Sequence, residues 1–465
     1  MALIAVELND AALWLARAAA SGPQALGPAP GCAVLHEGKV ILGEEAARRV
    51  RLAPLHAQNR YWHQLSLDRL PWGAGSVRTP ADLAFAQLSE LVAPWRTGAD
   101  GLILAVPPGY TREQLGLLLG VANETGLPVR GLVDLGLAAC AQQAPCAQFL
   151  HLDLQLHCAA LTLIEYSRAD CALHRSRYEI LPGSGLLAIQ QSLVETIATA
   201  FVRQTRFDPL HEAATEQRLV NRIPVWLAAL EAAEEVDADI DAGAHTHNAK
   251  LSRAAILDAV DGRLADIHRL VQAARPAGVS VCMCVSAGAA TVPGLLDRLR
   301  TLRDCSVVVL EGGAAALGAM SAADAIVRPE GAVALVHRLP AKGIVAAAAV
   351  ATPVAVPAKE RPSHVLHAGR AWPITRRPLV LGSAVTEGSG GPVLPAGTAG
   401  LSKRHCTLLA TDGGALVEDH STYGTFVNEE RVVGAVALRV GDVLRLGTPG
   451  VTLSLIGVMR DDGTP

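Results

Sequence analysis

The sequence has no marked excess of either charge. Its 40 lysines and arginines face 44 aspartates and glutamates among 465 residues, which gives a formal net charge of −4. A chain so close to balance indicates no polyelectrolyte partner, and we expect no nucleic-acid binding. Half of the residues are hydrophobic, so the composition predicts a soluble globular protein, and the length predicts two or three domains.

Targeting and membrane signals are also missing. The first residues, MALIAVELNDAAL, have no basic leader, so no signal peptide is predicted. The apolar run at 343–358 is alanine-rich and broken by prolines, which makes it a poor membrane span. We therefore expect a cytoplasmic protein without direct membrane insertion.

No repeated Cys-x-x-Cys motif relates the nine cysteines. Cys282 and Cys284 lie on one face of a predicted strand, where a metal or redox role is conceivable. Burial as small apolar side chains is much the commoner situation for cysteines of a cytosolic protein. We predict reduced thiols and no metal site, and we interpret the histidine-containing stretch 245–248 as an exposed polar turn.

The stretch 101–165 has the alternating pattern of an α/β protein. The apolar run GLILAVPP (101–108) is typical of a buried strand, and Thr111 with Gln114 predicts a capping box at the start of a helix. A second strand, VRGLVD, a small-residue helix and two tightly joined strands follow. This alternation predicts a sheet with helical crossovers.

Longer helices are predicted on both sides of this stretch. An amphipathic helix over 78–95 should begin at Thr79 and Pro80. Apolar stripes and caps predict further helices over 186–207, over 215–236 with an interruption at Pro224, and over 251–274. Glu231, Glu234 and Glu235 are interpreted as a solvated helix face.

These segments resemble, in the same order, the nucleotide-binding domain of the seventy-kilodalton heat-shock chaperones, members of the actin-like ATPase superfamily. The similar segments are CAVLHEGKVILGEEAARR, VRGLVDLGLAACA, LDLQLHCAALTLIE, GSGLLAIQQSLVETIATAFVRQT, VCMCVSAGAATVPGLLDRL and LEGGAAALGAM. The resemblance covers roughly the first 325 residues and implies a two-lobed, actin-like (ribonuclease-H-like) α/β domain over 1–326. It also favours a strand pair at the N-terminus.

The resemblance implies an ATP site whose phosphate turns are degenerate. The first turn is Glu7-Leu8-Asn9-Asp10-Ala11, without the family's glycine and threonines, and Asp10 would repel a phosphate by roughly 4 kcal/mol. The second turn, 153–158, keeps only its Asp and Leu. We expect no ATP hydrolysis, with ATP and Mg²⁺ as possible rather than required ligands. Weak catalytic candidates are Asp134 and Asp153; the nucleotide-binding positions, if retained, are Glu7, Asn9, Asp153, Gly183, Gly288, Gly312 and Gly313.

The composition changes after residue 326. Residues 327–362 are rich in proline and alanine and predict a semi-extended linker. Residues 363–458 then predict short strands at regular spacing, followed by a tail at 459–465. The segments RPLVLGS, GLSKRHCTLLA, ALVEDHSTYGTFVNEERV and ALRVGDVLRLG resemble, in order, a forkhead-associated (FHA) domain, a β-sandwich that in its active form binds phosphothreonine peptides.

This second resemblance implies a phosphopeptide or partner site. The family's phosphate-pairing arginine follows a glycine, but here Ser383 follows Gly382, and Tyr423 replaces an asparagine that holds the peptide backbone. Lys403 and Arg404 keep positive charge nearby. His405 is expected to brace the loop. The candidate binding residues are Ser383, Ser402, Lys403, Arg404, Thr425 and Asn428.

The sequence as a whole predicts a bacterial-style adaptor. A scaffold domain without catalytic activity, or with weak nucleotide binding, would be joined to an FHA-like domain that captures a protein partner. Whether that partner carries phosphothreonine is left open. The alternative is a chaperone-like ATPase whose nucleotide state controls partner binding, and the degenerate turns argue against it.

Overall fold

The structure is a computed structural model that describes the chain except for residues 1, 21, 145, 168, 278, 328–332, 342–359, 385–390, 395–397, 399, 449 and 458–465. The chain divides into two compact units. The first comprises 1–268 and 282–345, and the second comprises 269–281 and 346–465. Most of the predicted linker (342–359) and the predicted tail (459–465) lie outside the described residues.

Up to residue 340 the chain contains both strands and helices. The strands are β1 (Leu3–Glu7), β2 (Leu13–Ala19), β3 (Gly22–Ala29), β4 (Ala33–His36), β5 (Lys39–Leu42), β6 (Ala57–Gln58), β7 (Gly101–Val106), β8 (Val129–Asp134), β9 (Gln148–Leu154), β10 (Cys158–Ser167), β11 (Ala172–Pro182), β12 (Glu235–Ala242), β13 (His245–Ser252), β14 (Pro276–Ala277), β15 (Val281–Val285), β16 (Cys305–Val309), β17 (Leu335–Val336) and β18 (Arg338–Pro340). The α-helices are α1 (Gly43–Ala47), α2 (Pro80–Val92), α3 (Arg112–Glu124), α4 (Leu135–Cys140), α5 (Leu186–Thr205), α6 (Ala213–Ala232), α7 (Arg253–Ala274), α8 (Ala287–Ala290), α9 (Leu295–Arg300), α10 (Ala314–Ser321) and α11 (Ala323–Ile326).

Two six-stranded sheets organise the first unit, and they share a pattern. The first has the order β17-β8-β7-β1-β2-β3, and the second has the order β16-β15-β9-β10-β11-β18. Each contains a three-stranded antiparallel meander, β1-β2-β3 or β9-β10-β11, and in each a later strand pairs in parallel with the first strand of that meander. The predicted N-terminal strand pair is confirmed as β1 and β2.

Local sequence signals set several helix starts. The predicted capping box is present at α3, where Thr111 and Gln114 exchange hydrogen bonds. Thr79 and Asp82 do the same at α2, with Pro80 in the first turn. Both boxes pair otherwise unsatisfied backbone N–H groups at the start of a helix, which is why so short a pattern predicts a boundary well.

The region 213–252 differs from the prediction. α6 runs through Pro224 without a break and ends at Ala232, so Glu235 begins strand β12 rather than ending a helix. The stretch 245–248 opens strand β13, which pairs with β12 in antiparallel register, and is not a turn. The polar composition of this hairpin suits exposed strands, which polarity alone could not distinguish from a turn.

Part of the predicted linker belongs to the first unit. β17 pairs in parallel with β8 at the edge of one sheet, and β18 pairs antiparallel with β11 at the edge of the other. Leu339 in β18 is fully buried. The six residues 335–340 are therefore a strap that joins both sheets, and a Pro/Ala-rich composition did not indicate this pairing.

The cores of the first unit lie on the faces of these sheets. Apolar side chains of β1, β7, α2 and α3 form one cluster, and those of β7, α4, β15 and α10 form another. Cys282 and Cys284 belong to the second cluster, and both are buried free thiols. Among the described residues no group of histidine, cysteine and acidic side chains is arranged to hold a metal ion.

The second unit contains a β-sandwich. Its further strands are β19 (His364–His367), β20 (Arg370–Pro373), β21 (Leu379–Leu381), β22 (Cys406–Thr411), β23 (Gly414–Asp419), β24 (Thr425–Val427), β25 (Glu430–Val432), β26 (Ala435–Leu438), β27 (Val443–Leu446) and β28 (Val451–Ile456). They form one sheet ordered β14-β25-β24-β27-β28-β19-β20 and another ordered β21-β22-β23-β26. Pairing is antiparallel apart from β14 with β25. A single apolar cluster draws on both sheets.

In the described part of the chain, no helix is both long enough and apolar enough to cross a membrane.

Candidate functional site

A buried polar cluster lies between the two meanders of the first unit. The Asn9 side-chain amide, just after β1, donates to both Asp153 carboxylate oxygens in β9 over 2.8 and 2.9 Å. Its carbonyl oxygen accepts from the Ala11 N–H. Burial raises the pKa of Asp153 and lowers that of the neighbouring His151. Asn9 and Asp153, both predicted as nucleotide-binding residues, are brought together, but their side chains hydrogen-bond to each other.

Asp10 contacts the second turn of this cluster. Its Oδ1 accepts a hydrogen bond from the Leu156 backbone N–H over 2.7 Å, and its Oδ2 has no hydrogen-bond partner in the described structure. Burial raises the pKa of Asp10 to about 7, although the Leu156 contact lowers it. A backbone N–H of the 153–158 turn is thus already hydrogen-bonded to a carboxylate of the chain itself.

Glu7 is used as a helix cap. Its Oε2 accepts hydrogen bonds from the N–H groups of Ala315 (2.9 Å) and Ala316 (3.3 Å) in the first turn of α10. Burial, with a smaller contribution from Asp153, raises the pKa of Glu7 to about 8. The carboxyl group therefore holds α10 against β1.

Trp14 fills the space beside the predicted glycine turn. A Cβ on Gly312 would lie 2.4 Å from the Trp14 ring, and one on Gly313 would lie 2.8 Å from Ala25. Gly313 also has a φ of 78°, which favours glycine. Gly288 and Gly183, in contrast, face open space. The group that closely approaches residues 312–313 is therefore the Trp14 side chain of the protein itself.

The cavity that remains here is small, at about 90 Å³. Ligand pockets for small molecules usually measure about 300–1,000 Å³. Five of the predicted nucleotide-binding residues line this cavity, but Asp153 and Gly183 do not; the five are Glu7, Asn9, Gly288, Gly312 and Gly313. The cavity is thus below the usual range for such pockets.

Asp134, the other catalytic candidate, lies outside this cavity. One carboxylate oxygen accepts from the Leu137 N–H over 3.0 Å and caps α4. The other lies 2.8 Å from Arg175 Nη1 in an ion pair. Both oxygens are thus held in structural contacts, which does not suit a group that must accept a proton from water.

In the second unit, His405 joins two loops. It is fully buried, its Nδ1 accepts from the Ser402 N–H over 3.0 Å, and its Nε2 lies 3.0 Å from the Gly424 carbonyl oxygen. These partners assign the proton to Nε2. Burial lowers the pKa of His405 despite the Gly424 contact. A neutral histidine therefore fixes the 402–405 loop against the 421–424 loop, as the sequence predicted.

The 402–404 stretch presents the exposed polar groups of this site. Ser402 Oγ accepts from the Thr422 N–H over 3.3 Å, so its own hydrogen can still be donated. Lys403 and Arg404 are exposed, and neither side chain has an ion pair or hydrogen bond within the described structure. The Ser383 N–H donates to the Ser402 carbonyl over 3.1 Å, which brings the loop after β21 to the same place. Four predicted residues thus meet at one surface.

Two predicted binding residues are structural instead. Thr425 is fully buried, and its hydroxyl donates to Asp419 Oδ1 over 2.8 Å. The Asn428 amide donates to Asp442 over 2.8 Å and accepts from the Val443 N–H over 2.9 Å, at a φ of 50°. Thr425 is enclosed by the sandwich, and the half-buried Asn428 already has hydrogen-bond partners for its amide nitrogen and its amide oxygen.

Thr422 was missed by the sequence analysis. Its side chain is exposed, and its N–H donates to Ser402 Oγ, so it borders the same surface. The only signal in the sequence was its place beside Tyr423, within the motif that suggested the resemblance.

Comparison with known families supports this part of the chain. Residues 391–447 match the FHA domain family. These residues form an FHA domain. β21, outside the matched residues, pairs with β22 inside them, so the FHA sandwich includes earlier residues of the second unit. No curated protein matches the chain significantly. An FHA domain implies protein–protein interaction mediated by a phosphopeptide.

Proposed function

We propose that this protein is an adaptor that docks a phosphothreonine-containing partner on the FHA loop formed by Ser402, Lys403 and Arg404. The observation that carries the proposal is the placement of these residues. A hydroxyl with a free hydrogen stands beside two exposed cations on a backbone that His405 holds in place. Charge-assisted hydrogen bonds of this kind suit phosphate.

The departures from the FHA pattern change how the phosphate is held. Ser383 replaces the family's arginine, and a Cβ at Gly382 would lie 2.2 Å from the Lys403 carbonyl oxygen, so the two loops are in close contact. Ser383 therefore adds a hydroxyl at the loop contact, while Lys403 and Arg404 supply the positive charge. The loop that contains Ser383 still contacts the 402–404 loop. The positive charge for the phosphate comes from Lys403 and Arg404 and not from an arginine at position 383.

A peptide-library experiment tests this proposal. The full chain is immobilised and offered degenerate peptides with a fixed phosphothreonine or a fixed threonine, and the retained peptides are quantified. We expect phosphothreonine peptides to be enriched. Ser402→Ala combined with Arg404→Ala should weaken their binding tenfold or more, on the order of 1.5–3 kcal/mol for charged hydrogen bonds. Equal retention of both peptide sets would overturn the proposal.

The first unit, in this proposal, is a two-lobed actin-like scaffold that does not hydrolyse ATP. Its two sheets of matching pattern suit that fold. Asp10 on the Leu156 N–H, Glu7 on the start of α10 and Trp14 against Gly312 fill the positions where phosphates would need backbone donors and space. For the competing ATPase function, the side chains of Asp10, Glu7 and Trp14 would have to leave these three positions.

Thermal unfolding of the full chain with and without millimolar ATP and Mg²⁺ tests the scaffold. A ligand at about 100 times its dissociation constant stabilises a protein by about 2.7 kcal/mol, a shift of several degrees. We expect no shift in the transition of the first unit. A clear shift would reject the scaffold and favour the nucleotide-dependent alternative.

A further inference from the structure

A cavity of about 460 Å³ opens on the surface of the first unit. Residues of the loop 58–71 and of the starts of α2 and α3 line it, and none of them lines the small cavity beside Glu7. Its volume lies within the usual range for small-molecule pockets, about 300–1,000 Å³. The sequence analysis assigned no role to this loop, so a ligand here would contact none of the predicted site residues.

Hydrogen bonds to its backbone fix the loop 58–71 to the rest of the unit. The Gln114 amide in α3 donates to the His63 carbonyl oxygen over 3.3 Å, and His157 Nε2 donates to the Asn59 carbonyl oxygen over 3.0 Å. The backbone that presents the lining side chains is therefore ordered before a ligand arrives, which reduces the entropic cost of binding.

The lining of this cavity carries more positive than negative charge. Arg60 and Arg69 are exposed, and neither guanidinium group forms an ion pair in the described structure. Asp68 is the acidic residue among those that line the cavity, and in the same part of the chain it forms no ion pair with either arginine. An anion that enters would therefore meet two guanidinium groups whose forks are still available for charge-assisted hydrogen bonds.

The charge of Arg60 acts on two nearby imidazoles. Burial lowers the pKa of His63, which lines the cavity, and Arg60 lowers it further. Burial also lowers the pKa of His157 to about 4, and Arg60 and His63 add to this effect. The centroids of the two rings lie 5.5 Å apart. An anion bound beside Arg60 would act in the opposite direction and favour protonation of His63.

Two hydroxyl groups add donors to the lining. Ser66 Oγ accepts from the Asp68 N–H over 3.4 Å, and Thr111 Oγ1 accepts from the Gln114 N–H over 3.2 Å. In each case the hydroxyl oxygen is the acceptor, so its own hydrogen can still be donated to a ligand. The cavity thus offers both cationic and neutral donors.

We infer that this cavity binds a small molecule that carries a phosphate monoester. A phosphate group offers three strong acceptor oxygens, so it can accept from both guanidinium groups and from a hydroxyl at once. A carboxylate has two oxygens and satisfies fewer of these donors. Apolar side chains such as Leu70 and Pro71 also line the cavity and suit the remainder of the molecule. The inference does not rest on the proposed function, because it concerns other residues.

Hydrogen exchange of the full chain, measured by mass spectrometry with and without millimolar inorganic phosphate at constant ionic strength, tests this inference. At about ten times its dissociation constant, phosphate should slow exchange that requires the site to open by about tenfold in peptides from 58–71. Arg60→Ala combined with Arg69→Ala should weaken binding about tenfold or more, so most of this slowing should be lost. Arg60→Lys combined with Arg69→Lys keeps the charge but not the planar forks and should retain part of it.

A matched control is Arg263→Ala, which removes another exposed arginine of the first unit and should leave the slowing unchanged. Unchanged exchange elsewhere in the first unit shows that each variant is folded. Equal slowing by succinate would overturn phosphate recognition, and slowing that survives Arg60→Ala with Arg69→Ala would overturn the assignment to this cavity. Slowing confined to peptides from the 402–404 loop would overturn this inference and leave the proposed function intact.

The ATP experiment described above separates this cavity from the cluster between the meanders when it is repeated on the chain with Arg60→Ala and Arg69→Ala. A thermal shift that these substitutions abolish arises in this cavity and supports the inference. A shift that they leave unchanged belongs to the nucleotide-dependent alternative and counts against the scaffold.

Discussion

The carboxylate of Asp10 and the backbone N–H of Leu156 form a 2.7 Å hydrogen bond that joins the turns after β1 and β9. A phosphate held between these turns would need that N–H group. Because Asp10 is buried, its carboxylate cannot simply swing out to admit a ligand. This contact therefore favours a first unit in which its own side chains occupy the space between the two turns.

Replacing Asp10 with asparagine tests this contact. The amide side chain would keep an oxygen for the Leu156 N–H and remove a buried charge, so we expect Asp10→Asn to stabilise the first unit. The pKa of Asp10 is raised to about 7 in the folded protein, so its favourable contribution is present below about pH 4 and is lost as pH rises through 7. The gain should be largest above pH 7, on the order of a few kcal/mol, and small near pH 4.

Urea unfolding across this pH range measures the effect of Asp10→Asn. Asp68→Asn, at an exposed position, serves as the control and should change little. A gain that is independent of pH would contradict the assignment of the buried charge to Asp10.

Two predicted nucleotide-binding glycines should respond oppositely to alanine. Gly312→Ala would force a methyl group into the Trp14 ring and should cost about 1–3 kcal/mol of stability. A Cβ added at Gly288, in α8, would have no neighbouring atom within 4 Å, so Gly288→Ala should be neutral or slightly stabilising. Denaturant midpoints compare them directly, and equal midpoints would mean that Trp14 does not pack against this turn.

The stability of the FHA domain should depend on pH through His405. Burial lowers the pKa of His405 from its ordinary value of 6.5, so the unfolded chain binds this proton more readily. The contribution of neutral His405 is present above about pH 6.5 and is lost as pH falls below it. Amide hydrogen exchange of peptides from the 401–447 region should therefore accelerate between pH 7 and pH 5, after correction for intrinsic exchange rates.

His405→Gln should exchange faster at both pH values and depend less on pH. His367→Gln changes a histidine that makes one long 3.3 Å contact, so this control should keep the wild-type dependence. An unchanged pH dependence in His405→Gln would assign the effect to another group.

The 335–340 strap should stabilise the first unit. Leu339→Ala removes a fully buried side chain and should cost about 2–5 kcal/mol of unfolding free energy. Leu67→Ala, where the leucine is 70% exposed, should cost less than about 0.5 kcal/mol. Chemical denaturation measures both variants, and similar small losses would mean that this segment behaves as a free linker.

The sequence alone was sufficient wherever local chemistry decides the structure. The capping box at Thr111 joins groups three residues apart, and the apolar run at 101–106 needs only burial, so both follow from short patterns. The loop role of His405 followed from the FHA resemblance, because the motif places it three residues after Ser402.

Only the tertiary structure decided which polar groups are available. Asp10 meets Leu156 across 146 residues, and Thr425 is buried because β24 lies inside the sandwich against Asp419. The 335–340 strap pairs with strands more than 160 residues earlier. These contacts depend on long-range packing, which a local pattern of residue types does not encode.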